Sequence, residues 1–219
     1  MKKTLAALLI MALLAFPIAG ALAFSLTLPE NPSTGYTWTY TGSNEKVLVP
    51  EGSSYKPDAY QTQRVGAGGG RTWVFQKGED GDTVLKFTCS RADGTTAAQY
   101  NMYLYRVEQG LLNWRADIRV DRSQVEIGLP ENPSTGYTWR VDSDNDGILK
   151  LEKSTYNDYI TNDNLLGQGG AHRWKYVPEV PGEVAITFTY ARSGDIKGEE
   201  TLVFVFRVDE GLGVTVVYP

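Results

Sequence analysis

The sequence predicts an all-β protein made of two tandem β-sandwich domains. The first observation is a repeat, because residues 28–38 recur letter for letter at residues 129–139. The second is the alternation of apolar and polar residues in short segments rich in Val, Phe, Tyr and Thr, which is typical of half-buried strands. The third is that no segment after residue 23 carries a sustained 3.6-residue apolar period, as an amphipathic helix would.

Residues 1–23 have the pattern of a secretory signal peptide. Two lysines precede an apolar run, residues 5–16, and a small-residue A-x-A site ends at Ala23. The run is too short for a convincing membrane span. We therefore expect cleavage after Ala23, with Ala21 as the other option and an uncleaved anchor as the alternative. The mature chain would be exported, either periplasmic or secreted, with no membrane attachment after signal removal.

Charge and cysteine content exclude several classes of function. Loss of Lys2 and Lys3 with the signal peptide takes the formal charge from −5 to −7, two positive charges fewer. Such a chain is not expected to bind nucleic acid, which needs an excess of Lys and Arg. The single cysteine, Cys89, shares its strand parity with Leu85 and Phe87. This parity predicts a buried side chain and not a nucleophile.

The repeat extends over nearly all of the mature chain. At a constant offset of 101 residues, matching pairs continue far beyond the opening motif: Trp73 and Trp174, Phe87 and Phe188, Arg91 and Arg192, Arg106 and Arg207. This period suits a complete small domain. We predict a first domain at residues 24–112 and a second at residues 113–219. About seven short strands in each, separated by Gly, Asn, Asp and Pro clusters, indicate sandwiches of immunoglobulin-like shape.

The ends of the two copies differ. The second copy has a strand-like lead-in, residues 116–120, whose counterpart in the first copy falls in the signal peptide. The β-rich C-terminal segment, residues 214–217, has no obvious place of its own. We predict that it pairs with the open edge of the first domain, because an open edge invites aggregation.

Two loops in each copy stand out. Pro32 fixes its own φ and favours extended geometry at Asn31, Gly35 can take positive φ, and Ser33 and Thr34 lie at the tip. The result is a stiff loop with small hydroxyls. The second loop is glycine-rich, at residues 66–70 and 167–170, and it lacks the Lys-Ser/Thr and helix of a phosphate loop. From chemistry alone, both loops could be no more than demanding turns.

The pair of motifs, Asn-Pro-Ser-Thr-Gly-Tyr followed by Gly-x-Gly-Gly on a chain of strands, resembles the chagasin family of cysteine-peptidase inhibitors. The resemblance implies an immunoglobulin-like fold whose loops wedge into the active-site cleft of papain-like (clan CA) cysteine proteases. Inhibition would be reversible, with Thr34 or Thr135 nearest the catalytic Cys–His pair. The residues implied to bind protease are Asn31, Pro32, Ser33, Thr34, Gly35, Tyr36, Gly66, Gly68, Gly69, Arg91, Asn132, Pro133, Ser134, Thr135, Gly136, Tyr137, Gly167, Gly169, Gly170 and Arg192.

The sequence departs from the family at a third motif, Arg-Pro-Trp or Arg-Pro-Phe. Here Arg91 and Arg192 are kept, but the proline and the aromatic anchor are replaced by Ala-Asp and Ser-Gly. Loss of an aromatic anchor predicts a weaker hold on that flank of the cleft. Two loops permit two proteases per chain. Arg64 and Arg71, which flank the first glycine-rich loop, are expected to influence which protease is accepted.

Other groups of residues give weaker indications of a functional site. Residues 142–147 resemble the start of a calcium loop, but position twelve is Lys153 and no helices flank it, so a solvated acidic turn is expected. His172 is the only histidine and has no Cys or Ser partner in sequence, so we expect no enzyme, no metal and no cofactor. The alternative is a non-inhibitory adhesion or carbohydrate-binding module. Its candidate contacts are the tyrosines ahead of the glycine-rich loops, Tyr55, Tyr60, Tyr156 and Tyr159.

Overall fold

The computed structural model describes residues 23–58, 68–93, 96–121, 123–158, 169–195 and 197–218. These residues form fourteen strands and two single-turn 3₁₀ helices. The strands of the first repeat are β1 Ala23–Glu30, β2 Tyr36–Gly42, β3 Leu48–Pro57, β4 Gly69–Lys77, β5 Gly81–Arg91, β6 Thr96–Glu108 and β7 Leu111–Asp121. Those of the second are β8 Gln124–Glu131, β9 Tyr137–Ser143, β10 Leu149–Asp158, β11 Gly170–Pro178, β12 Gly182–Arg192, β13 Glu200–Val208 and β14 Val214–Tyr218. The 3₁₀ helices are Pro32–Thr34 and Pro133–Thr135.

The strands form three antiparallel sheets. A seven-stranded sheet, in the order β10-β11-β8-β7-β6-β5-β2, runs through both repeats. A three-stranded sheet, β1-β4-β3, completes the first sandwich, and a four-stranded sheet, β14-β13-β12-β9, completes the second. This organisation confirms the predicted all-β fold with immunoglobulin-like sandwiches. It also shows that the two sandwiches share one continuous sheet.

Strand β7 joins the repeats. Its first half pairs only with β6, while residues Asp117 to Asp121 pair with β6 on one side and with β8 on the other. The predicted lead-in to the second domain is therefore the continuation of the last strand of the first. Leu112 and Asn113, between which the sequence places the domain boundary, both lie inside β7.

Strand β6 contributes to two cores from its two faces. Tyr103, Tyr105 and Val107 are buried in the first core with Phe75 and Phe87. The residues of opposite parity, Tyr100 and Met102, are buried in the second core with Phe188, Phe204 and Phe206. The Tyr100 hydroxyl accepts a hydrogen bond from the backbone N–H of Val216 on β14, 2.5 Å away. Its burial raises the pKa of Tyr100 to about 12, so the phenol stays protonated.

The C-terminal strand does not pair with the first domain as the sequence suggested. Residues of β14 pair with β13, from Val208 opposite Val214 to Val205 opposite Tyr218. Val214 and Val216 are buried in the second core, so the strand already has a place within its own repeat. The prediction that it covers the edge of the first domain is wrong.

A charged cluster holds the junction of β7, β8 and β11. The Arg173 guanidinium donates to Asp117 Oδ1 and to Glu126 Oε1, both at 2.9 Å. Asp117 is 3% exposed, and Arg119 also lies within 3.8 Å of it. A buried carboxylate needs such partners because an unpaired charge is costly in the interior.

In the described part of the chain, no helix is long and apolar enough to cross a membrane.

Candidate functional site

The repeated loop is a preformed turn with the same geometry in both copies. Asn31 caps the 3₁₀ helix, since its Oδ1 accepts from the Ser33 backbone N–H at 3.2 Å and from the Ser33 hydroxyl at 2.7 Å. Gly35 closes the turn with φ +77° and donates its N–H to the Pro32 carbonyl. Asn132 and Gly136 repeat these roles, with φ +80° at the glycine. Only a glycine takes such a φ without strain.

The tip of the loop is exposed, but its hydroxyls bond within the loop. Thr34 Oγ1 donates to the Asn31 carbonyl at 2.7 Å, and Thr135 does the same to Asn132. Ser33 and Thr34 are exposed to solvent. The loop therefore presents a small, rigid surface made of the proline ring, the threonine methyl group and the backbone.

The glycine-rich loops are described only where they enter β4 and β11. Gly66 and Gly167 lie outside the described residues, as do Arg64, Tyr60 and Tyr159. Packing against β3 requires a glycine at position 69, because a Cβ there would lie 2.3 Å from the Lys56 carbonyl and 2.7 Å from the Tyr55 hydroxyl.

The second repeat packs in the same way. A Cβ at Gly170 would meet the Asn157 carbonyl at 2.2 Å and the Tyr156 hydroxyl at 2.7 Å. Gly68 and Gly169 precede these positions, beside the backbone of Glu30 and Glu131. The tyrosines thus pack against the glycines.

The arginine that both repeats keep from the third motif stacks on the first loop. The Arg91 guanidinium lies over the Tyr36 ring at 4.4 Å, and Arg192 lies over Tyr137 at 4.6 Å. Both arginines are exposed, and each tyrosine is half-buried. A cation over an aromatic face contributes about 0.5–1 kcal/mol at an exposed site, so each pair stiffens the flank of the loop cluster.

The strand ends that carry the loops of each repeat meet at one end of its sandwich. Pairing places Glu30 opposite Gly69 in one sheet, and Tyr36 opposite Arg91 in the other. In the second repeat the equivalent pairs are Glu131 with Gly170 and Tyr137 with Arg192. The described ends of the three predicted loops are therefore neighbours in both copies.

The two loop clusters face opposite ways along the strands. β7 runs towards the first cluster, because Asp121 pairs with Gln99 near the start of β6. β8 is antiparallel to β7 and runs away from that end, to Glu131 at the second cluster. The second cluster thus lies at the opposite end of the shared sheet from the first.

A buried carboxylate behind each loop was missed by sequence reasoning. Glu30, 5% exposed, precedes the loop and accepts from Arg71 Nε at 2.6 Å, from Arg71 Nη2 at 2.7 Å and from the Trp38 backbone N–H at 3.3 Å. The Arg71 hydrogen bonds hold the pKa of Glu30 below its usual range, although burial acts in the opposite direction. Arg71 is thus bound to the buried carboxylate behind the loop, whereas the sequence suggested that it influences which protease is accepted.

The second repeat replaces this arginine by histidine. Glu131, also 5% exposed, lies 2.5 Å from His172 Nδ1, and His172 Nε2 lies 2.7 Å from Ser154 Oγ. The imidazole stacks on Trp174 with ring centroids 4.0 Å apart. The sequence did contain a signal for these buried carboxylates. On β1, Leu26, Leu28 and Glu30 alternate with exposed residues, so Glu30 lies on the inward face with the two leucines.

The remaining candidates have structural roles. Cys89 is buried as predicted, and burial raises the pKa of its thiol. In the acidic turn, Asp144 Oδ1 accepts from the Ala185 backbone N–H and Asn145 Oδ1 from that of Gly147. No group of three or more His, Cys, Asp or Glu side chains suited to a metal occurs among the described residues.

Comparison with known proteins identifies the family of this chain. The profile described as chagasin family peptidase inhibitor I42 matches residues 22–107 and 121–208. Chagasin of Trypanosoma cruzi is 35% identical over 31% of this chain, and the match spans 64% of that protein.

Two solved structures are more distant. A cysteine protease inhibitor of Entamoeba histolytica is 21% identical, with a TM-score of 0.34, over 37% of this chain and 75% of that one. The C-terminal domain of a Streptococcus agalactiae AgI/II polypeptide is 11% identical, with a TM-score of 0.19, over 83% and 92%. Neither score supports an argument about shape. The family match covers most of the chain, once per repeat, and so confirms that the protein is not an enzyme: it belongs to the chagasin family of peptidase inhibitors.

Proposed function

We propose that this protein is a reversible inhibitor of papain-like (clan CA) cysteine proteases, and that each repeat occludes an active-site cleft with its Asn-Pro-Ser-Thr-Gly-Tyr and glycine-rich loops. The observation that carries the proposal is the pair of identical, internally bonded turns, each at the end of a sandwich beside the other two loops. Family membership supports the class of target. The protein acts after export, as the chain that begins at Phe24.

The mechanism is occlusion by a rigid wedge. Asn31 and Thr34 form hydrogen bonds within the loop, which hold it rigid. The loop therefore loses little conformational freedom when it binds. The buried Cys89 has no access to a protease, and among the described residues the hydroxyls of Ser33 and Thr34 bond to Asn31 and not to a base. Inhibition therefore involves no covalent step by the inhibitor. The Arg91–Tyr36 and Arg192–Tyr137 stacks stand on the flank where other members carry an aromatic anchor.

Two proteases bind one chain. The opposite orientation of the loop clusters supports this stoichiometry, because the two bound enzymes would lie at opposite ends of the shared sheet. A protease at one cluster then leaves the other cluster open.

Titration of papain with the mature chain tests both statements. The wild type should inhibit at nanomolar to micromolar concentration, with two enzyme molecules held per chain. Thr34→Arg and Thr135→Arg, which place a long cation at the loop tip, should each leave one, and the double variant none. Thr41→Arg is the matched control, because Thr41 is an exposed residue of β2 that pairs with Lys86, away from the loops. Absence of inhibition at high micromolar wild type would refute the proposal and favour a binding module.

A further inference from the structure

We propose that Glu30 and Glu131 are positioning residues for the two binding loops, and that the Glu131–His172 pair makes the second loop cluster sensitive to protons while the first is not. The effect on a protease rests on the proposed function, whereas the effect on the loop does not. The proposal starts from one difference between equivalent positions, since Arg71 and His172 are 101 residues apart, as are Glu30 and Glu131.

Each carboxylate connects two of the loops. Glu30 directly precedes Asn31, the cap of the first loop, and it also accepts from Trp38 on the strand that leaves this loop. Its cation, Arg71, follows the glycine-rich loop on β4. Glu131 is likewise next to the cap Asn132, and His172 follows Gly170 on β11. A change in the pair is thus applied at the base of both binding loops.

The cations differ in how they hold charge. A guanidinium stays protonated at any pH at which the protein is folded. An imidazole changes charge between about pH 5 and 8. The first carboxylate therefore keeps its counter-charge throughout that range. The second has one only while His172 is protonated, with Nδ1–H donating to Glu131 and Nε2–H to Ser154.

Deprotonation removes the charge without removing the contacts. A neutral imidazole that keeps its proton on Nδ1 still donates to Glu131, and its Nε2 then accepts from the Ser154 hydroxyl. The Glu131 side chain is only 4% exposed, so water does little to replace the lost counter-charge. Because the hydrogen bond to the Glu131 carboxylate remains and only the attraction between opposite charges is lost, we expect a change of about fivefold and not an on–off switch.

The described surroundings of the imidazole contain few other titratable groups. β8 contributes Glu131, and β10 contributes Ser154 and, by ring contact at 6.4 Å, Tyr156. Its own strand contributes Trp174, which stacks on the ring and holds its plane. Glu131 is thus the partner whose charge the imidazole balances.

The test compares the two clusters within the full mature chain. Inhibition constants for papain are measured from pH 5.5 to 8 in the Thr34→Arg variant, which reports the second cluster, and in the Thr135→Arg variant, which reports the first. The ratio of the two constants cancels the titration of papain itself. We expect the second cluster to weaken about fivefold relative to the first as the pH rises.

Exchange of the cations should exchange the behaviour. His172→Arg should remove the pH dependence of the second cluster, and Arg71→His should confer one on the first. His172→Gln, which is neutral at every pH, should hold the second cluster at its alkaline affinity and serves if the arginine variant does not fold. Equal pH profiles of the two clusters, or a profile that His172→Gln leaves unchanged, would overturn the inference while the proposed function stood.

A measurement without protease separates the two proposals. In amide NMR spectra, the signals of Asn132 and of residues 134–136 should shift between pH 5.5 and 8 with one common midpoint, whereas those of Asn31 and of residues 33–35 should not. If papain is never inhibited, the proposed function fails and these spectra alone decide the inference. Loop signals of the second repeat that ignore pH, or that still titrate in His172→Gln, would contradict it.

Discussion

At the scale of single residues, a few positions define the loop clusters. The backbone of each loop is closed by a glycine with positive φ, and its base is held by a buried glutamate. Both features fix the backbone conformation of the loop, and neither forms part of its exposed tip. Substitutions at these positions can therefore weaken binding by the loop without any change to the side chains at its tip.

The first prediction concerns the closing glycine. Gly136→Ala should lower the free energy of unfolding by about 1 kcal/mol, because a Cβ at φ +80° is strained although no atom lies within 4 Å of it. Inhibition by the second cluster should weaken with it. Urea denaturation and papain titration in the Thr34→Arg background measure both effects. Gly147→Ala, in the exposed acidic turn, is the control and should change neither.

The second prediction concerns the pH dependence of the Glu30–Arg71 pair. Because Arg71 lowers the pKa of Glu30 below 4.5, the pair stabilises the protein at neutral pH, and this contribution disappears as the pH falls through the lowered pKa. Glu30→Gln should therefore cost about 2 kcal/mol at pH 7 and progressively less below pH 4.5.

Urea denaturation at a series of pH values measures this difference. Glu51→Gln, at an exposed position of β3, should cost little at any pH. A loss that is the same at pH 3 and pH 7 would show that the charge of Glu30 plays no part.

At the scale of elements, β6 and β7 do more than the repeat pattern suggests. In β6, residues of one parity enter the first core and residues of the other parity enter the second. In β7, three consecutive residues, Ala116, Asp117 and Ile118, are buried. Strands buried on both faces are usual in the middle of layered proteins, and here they lie where two domains meet.

The third prediction tests the contact between β6 and the C-terminal strand. Tyr100→Phe removes the hydroxyl that accepts from Val216 and leaves that buried N–H without its partner. We expect a loss of about 1–2 kcal/mol in the free energy of unfolding. The loss should appear equally when unfolding is followed in the first repeat and in the second. A loss confined to one of them would mean that the two cores are not coupled through β6.

Sequence alone predicted the strands, the loops and the inward side of β5, because alternation and turn residues are local signals. It did not predict the shared sheet. The run Tyr100 to Tyr105 has apolar residues at both parities, which indicates burial on both faces, but nothing local says which layer covers each face. The same limit applies to Glu30 and Glu131, since strand register, which is not local, brings Arg71 and His172 to them.

At the scale of the whole molecule, the two repeats form one structural unit. The seven-stranded sheet passes through both, and the charged cluster of Asp117, Glu126 and Arg173 lies at their junction. The two repeats are therefore held in a fixed orientation and are not separate domains joined by a flexible linker. Their loop clusters keep opposite directions because the sheet does not allow them to turn independently.

The fourth prediction follows from the shared strands. Calorimetry of the mature chain should show a single transition, with equal calorimetric and van't Hoff enthalpies. Residues 113–219 expressed alone should fail to fold stably, because they lack Tyr100 and Met102 of the second core. Two separate transitions, or a stable second repeat without β6, would contradict the shared-core arrangement.

The burial of β7 determines which part of the chain is protected from local unfolding. The segment between two tandem domains is usually the first to exchange its amide hydrogens and the first to be cut. Here residues 117–121 are hydrogen-bonded to a strand on each side, and Ile118 and Val120 are almost fully buried. Their amides should exchange with solvent only when the whole molecule unfolds. This part of β7 should therefore be among the slowest-exchanging segments of the described chain, and an inhibitor that meets proteases offers them no cleavable hinge at residues 117–121.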